Sequence, residues 1–422
     1  MNFSKHIIIF SFVATSTVSM NVMATNGYFS HGYGMKAKGM AGAGIAYGQG
    51  ALAGASNPAN MVFVGDRIDF GIDLFIPDRK AEITSPNPTA TNYDPNEDFA
   101  FFIPEFGYNR MINDAMSLSI FAFGNGGMNT SYEKPIALLG STNAGVNLEQ
   151  LFISPTFSIK ANDKHAFGVS LNFVYQRFEA TGLQNFAPLS NSPDKLTDNG
   201  VDTATGFSLR VGWVGQISER VTLGATYQSK ADMSEFDDYK GLFAEQGDFD
   251  VPKTYGIGIA VKASDDINLV FDITEIKLSE IASVNNPLLP ALGGCAGGNS
   301  SNCLGGDNGM GFGWQDITAY KLGADYKLSN TLTLRAGFNY SDQPIPAAET
   351  LFNLLAPAVE RSHVTAGATW TLSNQSELSF ALMYAFEKTI YGNTSIPQPF
   401  GGGEANLSMR EYSLGVSYGW SF

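Results

Sequence analysis

Tyr412-Ser413-Leu414-Gly415-Val416-Ser417-Tyr418-Gly419-Trp420-Ser421-Phe422 closes the chain, and its alternation decides the fold. Even positions are large and apolar, while odd positions are Ser or Gly. Successive side chains on a strand point to opposite faces, so the segment is a strand with one greasy face and one that tolerates water. Lipid on one side and a lumen on the other require that pattern. The same period recurs in Phe207-Leu209-Val211-Trp213, Val221-Leu223-Ala225-Tyr227, Tyr255-Ile257-Ile259-Val261 and Leu332-Leu334-Ala336-Phe338-Tyr340. It returns in Val364-Ala366-Ala368-Trp370 and Leu378-Phe380-Leu382-Tyr384-Phe386. Period two fits strands and not helices. Arg210, Lys321 and Arg335 fall on the second phase, facing the lumen.

Connections alternate in length. Short Asn-, Asp- and Ser-containing turns occur at 112–115, 161–164, 217–220, 263–266, 328–330 and 373–376. Long polar stretches lie at 79–98, 129–148, 181–204, 231–252, 280–314, 342–361 and 388–408. Six short turns and seven long loops imply fourteen strands. An even count, with turns at one end and loops at the other, is the outer-membrane arrangement. The expected fold is all-β, a 14-stranded antiparallel transmembrane β-barrel over 66–422. The strands are expected near 67–78, 99–111, 115–128, 149–160, 165–180, 205–217, 221–230, 253–262, 267–279, 315–327, 331–341, 362–372, 377–387 and 409–422. The last pairs with the first, so no edge is left in lipid.

Lys5 and His6, the apolar run Ile7–Val13 and the small-residue end Val22-Met23-Ala24 read as a signal peptide over 1–24. The apolar run is far shorter than the ~20 residues a helical span needs. Residues 25–65 are rich in Gly and Ala, too apolar for a free tail and too glycine-rich for a long helix. They predict an N-terminal plug, or hatch, of short helices and turns inside the barrel.

Of the 422 residues, 31 are Phe, 17 Tyr and 46 Gly, and only 15% are charged, low for a soluble domain. A net charge of -15 argues against a nucleic-acid partner. Cys295 and Cys303, nine positions inclusive within one Gly- and Asn-rich loop, predict a local disulfide in an exported chain. With no His or second Cys pair nearby, no metal is expected there. No cofactor is expected either. His165 reads as lying beside a turn and His363 as a mouth or surface histidine. No serine motif accompanies them, so the chain is not read as an enzyme.

Ser56-Asn57-Pro58-Ala59-Asn60-Met61, in this N-terminal setting and ahead of fourteen strands, resembles the FadL family of outer-membrane transporters for long-chain fatty acids and other hydrophobic compounds. Gly313–Gly323 and Ser341–Pro346 look like further family segments. The resemblance implies a hatch that carries Asn57, Pro58 and Ala59. It implies lateral release where the third strand is kinked, at Gly124-Asn125-Gly126-Gly127. Glycines suit such a bulge. It also places carboxylate-binding positions at Arg177, in Phe173-Val-Tyr-Gln-Arg177, and at Gln315. Alternation sets Arg177 on the phase of Phe173 and Tyr175, nominally toward lipid. A bulge turns it inward, or it snorkels at the outer interface. Gln315 brings a hydrogen bond without charge. The expected partners are long-chain fatty acid or another hydrophobic small molecule and outer-membrane lipid, with the protein a monomer in the outer membrane. Uptake of toluene-type hydrocarbons and a general porin for hydrophilic solutes are the alternatives.

Single-channel recording separates hatch from open pore. A chain with a filled lumen gives small, intermittent conductance, and a large steady ohmic pore would contradict the hatch.

Overall fold

The computed structural model describes residues 26–84, 90–372 and 375–422. The signal-peptide reading of 1–24 lies outside the described residues, as does part of the 373–376 turn. Fourteen long strands follow one another in chain order: β1 (Arg67–Thr84), β2 (Phe101–Asn113), β3 (Met116–Ser131), β4 (Gly145–Lys160), β5 (His165–Thr181), β6 (Asp202–Gln216) and β7 (Val221–Gln228), then β8 (Thr254–Lys262), β9 (Ile267–Ile276), β10 (Ile317–Lys327), β11 (Leu332–Ser341), β12 (Ser362–Thr371), β13 (Ser376–Ile390) and β14 (Glu404–Ser421). Each pairs antiparallel with the next. β14 then returns to β1 from Arg67↔Ser421 to Thr84↔Glu404, which closes the sheet. Two short strands in the loops, Thr91–Tyr93 and Asp232–Met233, edge onto β1 and β6.

The terminal strand shows why closure works. Leu414, Tyr418 and Trp420 stand about half exposed, while Ser413 and Gly415 are turned inward and buried. Phe102, Leu171, Phe207, Ile257, Leu322 and Leu382 continue this exposed apolar surface around the wall. A contiguous apolar exterior of this kind is what lipid covers. The membrane takes ~9–11 residues of each strand. β1 and β14, at 18 residues each, project beyond it on the loop side. In that loop region the helix Leu288–Ala296 carries Cys295 of the disulfide Cys295–Cys303, whose Cα atoms are 4.8 Å apart.

Residues 26–64 lie within the ring. They carry one helical turn, Met35–Lys38, and two 3-10 turns, Ala53–Ala55 and Pro58–Phe63. Inward-facing glycines of the wall are where this segment touches it. A methyl group on Gly107 of β2 would meet Ala51 at 2.7 Å, one on Gly168 of β5 would meet Pro58 at 2.3 Å, and one on Gly337 of β11 would meet Met40 at 2.4 Å. Gly224, Gly323 and Gly415, on β7, β10 and β14, meet Ile45, Met40 and Met35. The segment thus touches strands on every side of the ring.

Buried charge ties it there. Lys38 donates to Asp73 of β1 at 2.7 Å and lies 3.9 Å from Glu105 of β2. Asp272 of β9 accepts from the backbone N–H groups of Gly44 at 2.7 Å and Ile45 at 2.9 Å. Asp69 of β1 accepts from Ala51 N–H at 2.7 Å. Lys321 donates to the carbonyl of His31 at 2.9 Å, and Arg335 to Gln49 at 2.7 Å. Lys36 and Arg67 share Glu377. Charge-assisted bonds out of water are the strong ones, and removing one partner strands the other.

Lys38→Met leaves two buried carboxylates facing each other and should cost ~3–5 kcal/mol. Lys80→Met breaks only the exposed Lys80–Glu387 pair and should cost ~0–1 kcal/mol. Urea unfolding of both variants in lipid checks this, and equal midpoints would contradict the buried anchor.

Candidate functional site

The wall is not paired throughout. The β2–β3 ladder runs from Asn113↔Met116 only to Phe106↔Ala122. Beyond that, Phe101–Glu105 pair with β1 and residues 123–131 pair with β4, but among the described residues no ladder joins the two stretches. The next link is a bridge between Asn96 and Ser131 at the loop end. Between these limits lies a seam. It coincides with a register shift in β3 between Gly124 and Gly126, which leaves Asn125 as the extra, bulged residue. A bulge sharpens the local twist and ends pairing on one side, which turns β3 from β2 toward β4.

The N-terminal segment backs this seam from inside. Ser30 N–H donates to Asn125 O at 2.9 Å, and Gly127 N–H donates to Tyr28 O at 2.9 Å. The Asn125 side chain is fully buried, accepting from Tyr33 Oη at 2.8 Å and donating to Gln150 at 3.1 Å. The backbone approach needs a glycine, because a Cβ at Gly126 would stand 2.0 Å from Tyr28 O. Arg79 reaches across from β1, donating to Asn96 at 3.0 Å and to the Asn129 side chain at 2.9 Å, and also to the carbonyls of Asn129 and Asp98.

Above the lumen the loops fold over an apolar cavity. Val146, Phe178, Phe186, Phe243, Met310 and Phe352 line it with other apolar residues, and Ser283 is its one polar side chain. Contacting rings lead from the cavity to the seam. Phe178 and Phe243 lie 4.6 Å apart, Phe243 and Phe249 4.9 Å, Phe249 and Tyr28 6.1 Å, and Tyr28 and Trp314 6.0 Å. Trp314 and Gly127 line a second, smaller cavity against the seam. A third, polar cavity, with Ser30, Arg210, Asp272 and Lys321 in its lining, lies between the N-terminal segment and the wall. Among the loop carboxyls, Glu349 accepts from Leu288 N–H at 2.8 Å, and burial raises its pKa.

Asn57, Pro58 and Ala59 form the start of the second 3-10 turn. Asn57 caps it, accepting from Ala59 N–H at 3.0 Å and donating to Ile45 O at 2.8 Å and Trp213 O at 3.0 Å. Pro58 suits the first helical position, where no N–H is required. Its carbonyl accepts from Ser158 Oγ at 2.6 Å.

Arg177 and Gln315 are not brought together. Arg177 keeps the outward phase of β5, with no bulge turning it in, and pairs with Glu149 of β4 at 3.3 Å. Gln315 is exposed and precedes β10, which begins at Ile317 rather than 315. Neither lines the apolar cavity. His363 is not at the mouth or on the surface. It is buried, its ring 6.1 Å from that of His31 in the N-terminal segment. His165 does lie beside its turn, stacked on Trp213. Tyr28, Trp314, Arg79 and Glu411 were not singled out by sequence reasoning. Among them Trp314 carried the best signal, as an aromatic inside Gly311–Gly313 and its flanks.

A family of outer membrane protein transport proteins (OMPP1/FadL/TodX) matches residues 13–422. The chain belongs to this family. Its members are outer-membrane transport proteins rather than enzymes. Among curated relatives, the long-chain fatty acid transport protein of Escherichia coli O157:H7 is 22% identical over 453 residues, covering 96% of this chain and 97% of that protein. The crystal structure of the Pseudomonas putida toluene transporter TodX superposes with a TM-score of 0.66 at 18% identity, over 93% of this chain and 99% of that one. A Pseudomonas aeruginosa FadL homologue gives 0.69 at 16%, over 94% and 100%. These structures share the barrel fold with this family member.

Gly126→Val should push the segment around Tyr28 off β3. A buried hydrogen bond left unmade costs ~1–3 kcal/mol, so exchange of the Gly127 amide should quicken by about tenfold or more. Unchanged protection at Gly127 would contradict the docking.

Proposed function

We propose that this chain is a passive channel that takes hydrophobic small molecules from the cell exterior and releases them sideways into the outer leaflet through the β2–β3 seam. Residues 26–64 act as the hatch that denies a straight passage to the periplasm. The observation that carries this reading is the seam itself, an unpaired stretch of wall joined by contacting aromatic rings to an apolar cavity in the loops. Bare backbone in hydrocarbon is costly, so an unpaired stretch at that depth persists only where a cavity or other protein lines it. Lateral release keeps an apolar cargo out of water, which is worth ~0.8 kcal/mol per methylene.

The cargo class follows from the lining. The loop cavity holds no charged side chain, and Arg177 is engaged outside with Glu149. Uncharged apolar molecules of the toluene type suit such a lining without paying for carboxylate desolvation. The second reading, long-chain fatty acids, rests on likeness to the fatty acid transport protein and on Arg177 and Gln315 as head-group ligands. The general porin is disfavoured by the filled lumen.

Deleting Asn125 removes the extra residue of the bulge and restores continuous register in β3. In a strain lacking other routes, cells with the intact chain should take up labelled toluene at a rate that drops by about tenfold with the deletion, if the barrier rises by ~1.4 kcal/mol. Uptake of a hydrophilic sugar should be unaffected. Equal toluene uptake with and without the chain would defeat the transport reading. Arg177→Ala tests the head-group role, because only a selective loss of fatty acid uptake supports it.

A further inference from the structure

The cavity behind the seam contains an acid that the transport reading does not use. Glu411 of β14 projects inward, is fully buried and lines this space with Met128, Trp314 and Met409. Among the described residues no group donates a hydrogen bond to either of its carboxylate oxygens. The same holds for Glu360, 3% exposed, two residues beyond Ala358 in the lining. The cation in the same lining, Arg79, is already engaged by Asn96, Asn129 and the Asp98 carbonyl. The space is therefore rich in acceptors without donors, and its strongest donor is occupied.

We propose that Glu411, supported by Glu360, forms a head-group site at the exit of the channel that takes ring-sized apolar molecules bearing an amine or hydroxyl and selects against carboxylates. The ring packs against Trp314 and Met409, and the head donates to the Glu411 oxygens. Buried acceptors left without donors are costly, so a molecule that supplies them is held, whereas a carboxylate brings only further acceptors. Burial and then the neighbouring Glu411 and Glu387 push the Glu360 carboxyl well above the usual carboxylate range, so Glu360 keeps its proton. The site rests on the seam being the exit, and it names the cargo that pauses there.

The test uses the full chain in lipid nanodiscs, with Trp213, Trp370 and Trp420 replaced by Phe so that emission reports Trp314. Benzylamine, p-cresol, benzoate and toluene are titrated separately. Benzylamine and p-cresol should bind at least about tenfold tighter than benzoate, a difference of ~1.4 kcal/mol. Glu411→Gln should erase most of that preference and Glu360→Gln part of it. Benzoate binding as tightly as benzylamine would overturn the proposal and point to Arg79 as the reader. Benzylamine binding unchanged in a correctly assembled Glu411→Gln barrel would also overturn it. If Glu411→Gln does not assemble, the benzylamine-to-benzoate ratio in the unsubstituted protein and the Glu360→Gln variant decide. Toluene uptake by cells is scored in parallel. Intact uptake without head-group preference defeats only this inference, while head-group preference without uptake defeats the transport reading.

Discussion

A backbone amide in hydrocarbon has no water to turn to, and the pairing of β14 with β1 over Arg67–Thr84 is the contact through which this chain meets that constraint. Everything else depends on it. Closure makes a ring with an inside, and the inside gives the glycine- and alanine-rich N-terminal segment a place to be buried. Closure also makes the β2–β3 seam meaningful. One stretch of wall departs from full pairing, and the departure is backed from within by Asn26–Ser30, whose backbone bonds to Asn125 and Gly127 replace part of the missing ladder.

The interior resolves a second conflict, between charge and burial. Lys38, Asp73, Glu105, Asp272 and Lys321 are buried in the lumen, where an unpaired ion would be expensive. Most of these charges are spent on the N-terminal segment, either on Lys38 or on its backbone N–H and C=O groups. The segment is thereby held by directional polar bonds rather than by a greasy face. The apolar cavity in the loops has the opposite character, and aromatic rings connect it to the seam. A polar, filled lumen beside an apolar lateral route is the physical basis for the proposed path.

The barrel was largely legible in the sequence, because lipid and lumen impose opposite demands at every second residue. Strands starting at His165, Val221 and Ile267 were located to the residue. The far ends of β1 and β14 were not, since beyond the membrane both faces meet polar surroundings and the alternation fades; there β1 runs to Thr84 and β14 begins at Glu404. The bulge at Asn125 was readable from its glycines. His363 was misplaced although its phase was available, since Val364 and Ala366 face outward and their odd-numbered neighbour must face in. Arg79 and Glu411 stand in charged runs, Asp78-Arg79-Lys80 and Arg410-Glu411-Tyr412, that resemble solvated loop edges. Only closure of β1 on β14 reveals that these two side chains share one buried space. Tyr28 gains its place between cavity and seam from a backbone approach at Gly126, which no local pattern encodes.

The central claim is that cargo leaves through the wall and not through the floor. A photoreactive hydrocarbon, flashed while it crosses the assembled barrel and mapped by mass spectrometry, tests it most directly. The account predicts label on Phe178 and Phe243 in the loop cavity and on residues 123–129 of β3 at the seam, with residues 57–64 at the turn side left clean. Label concentrated on 57–64, with the seam unmarked, would contradict it.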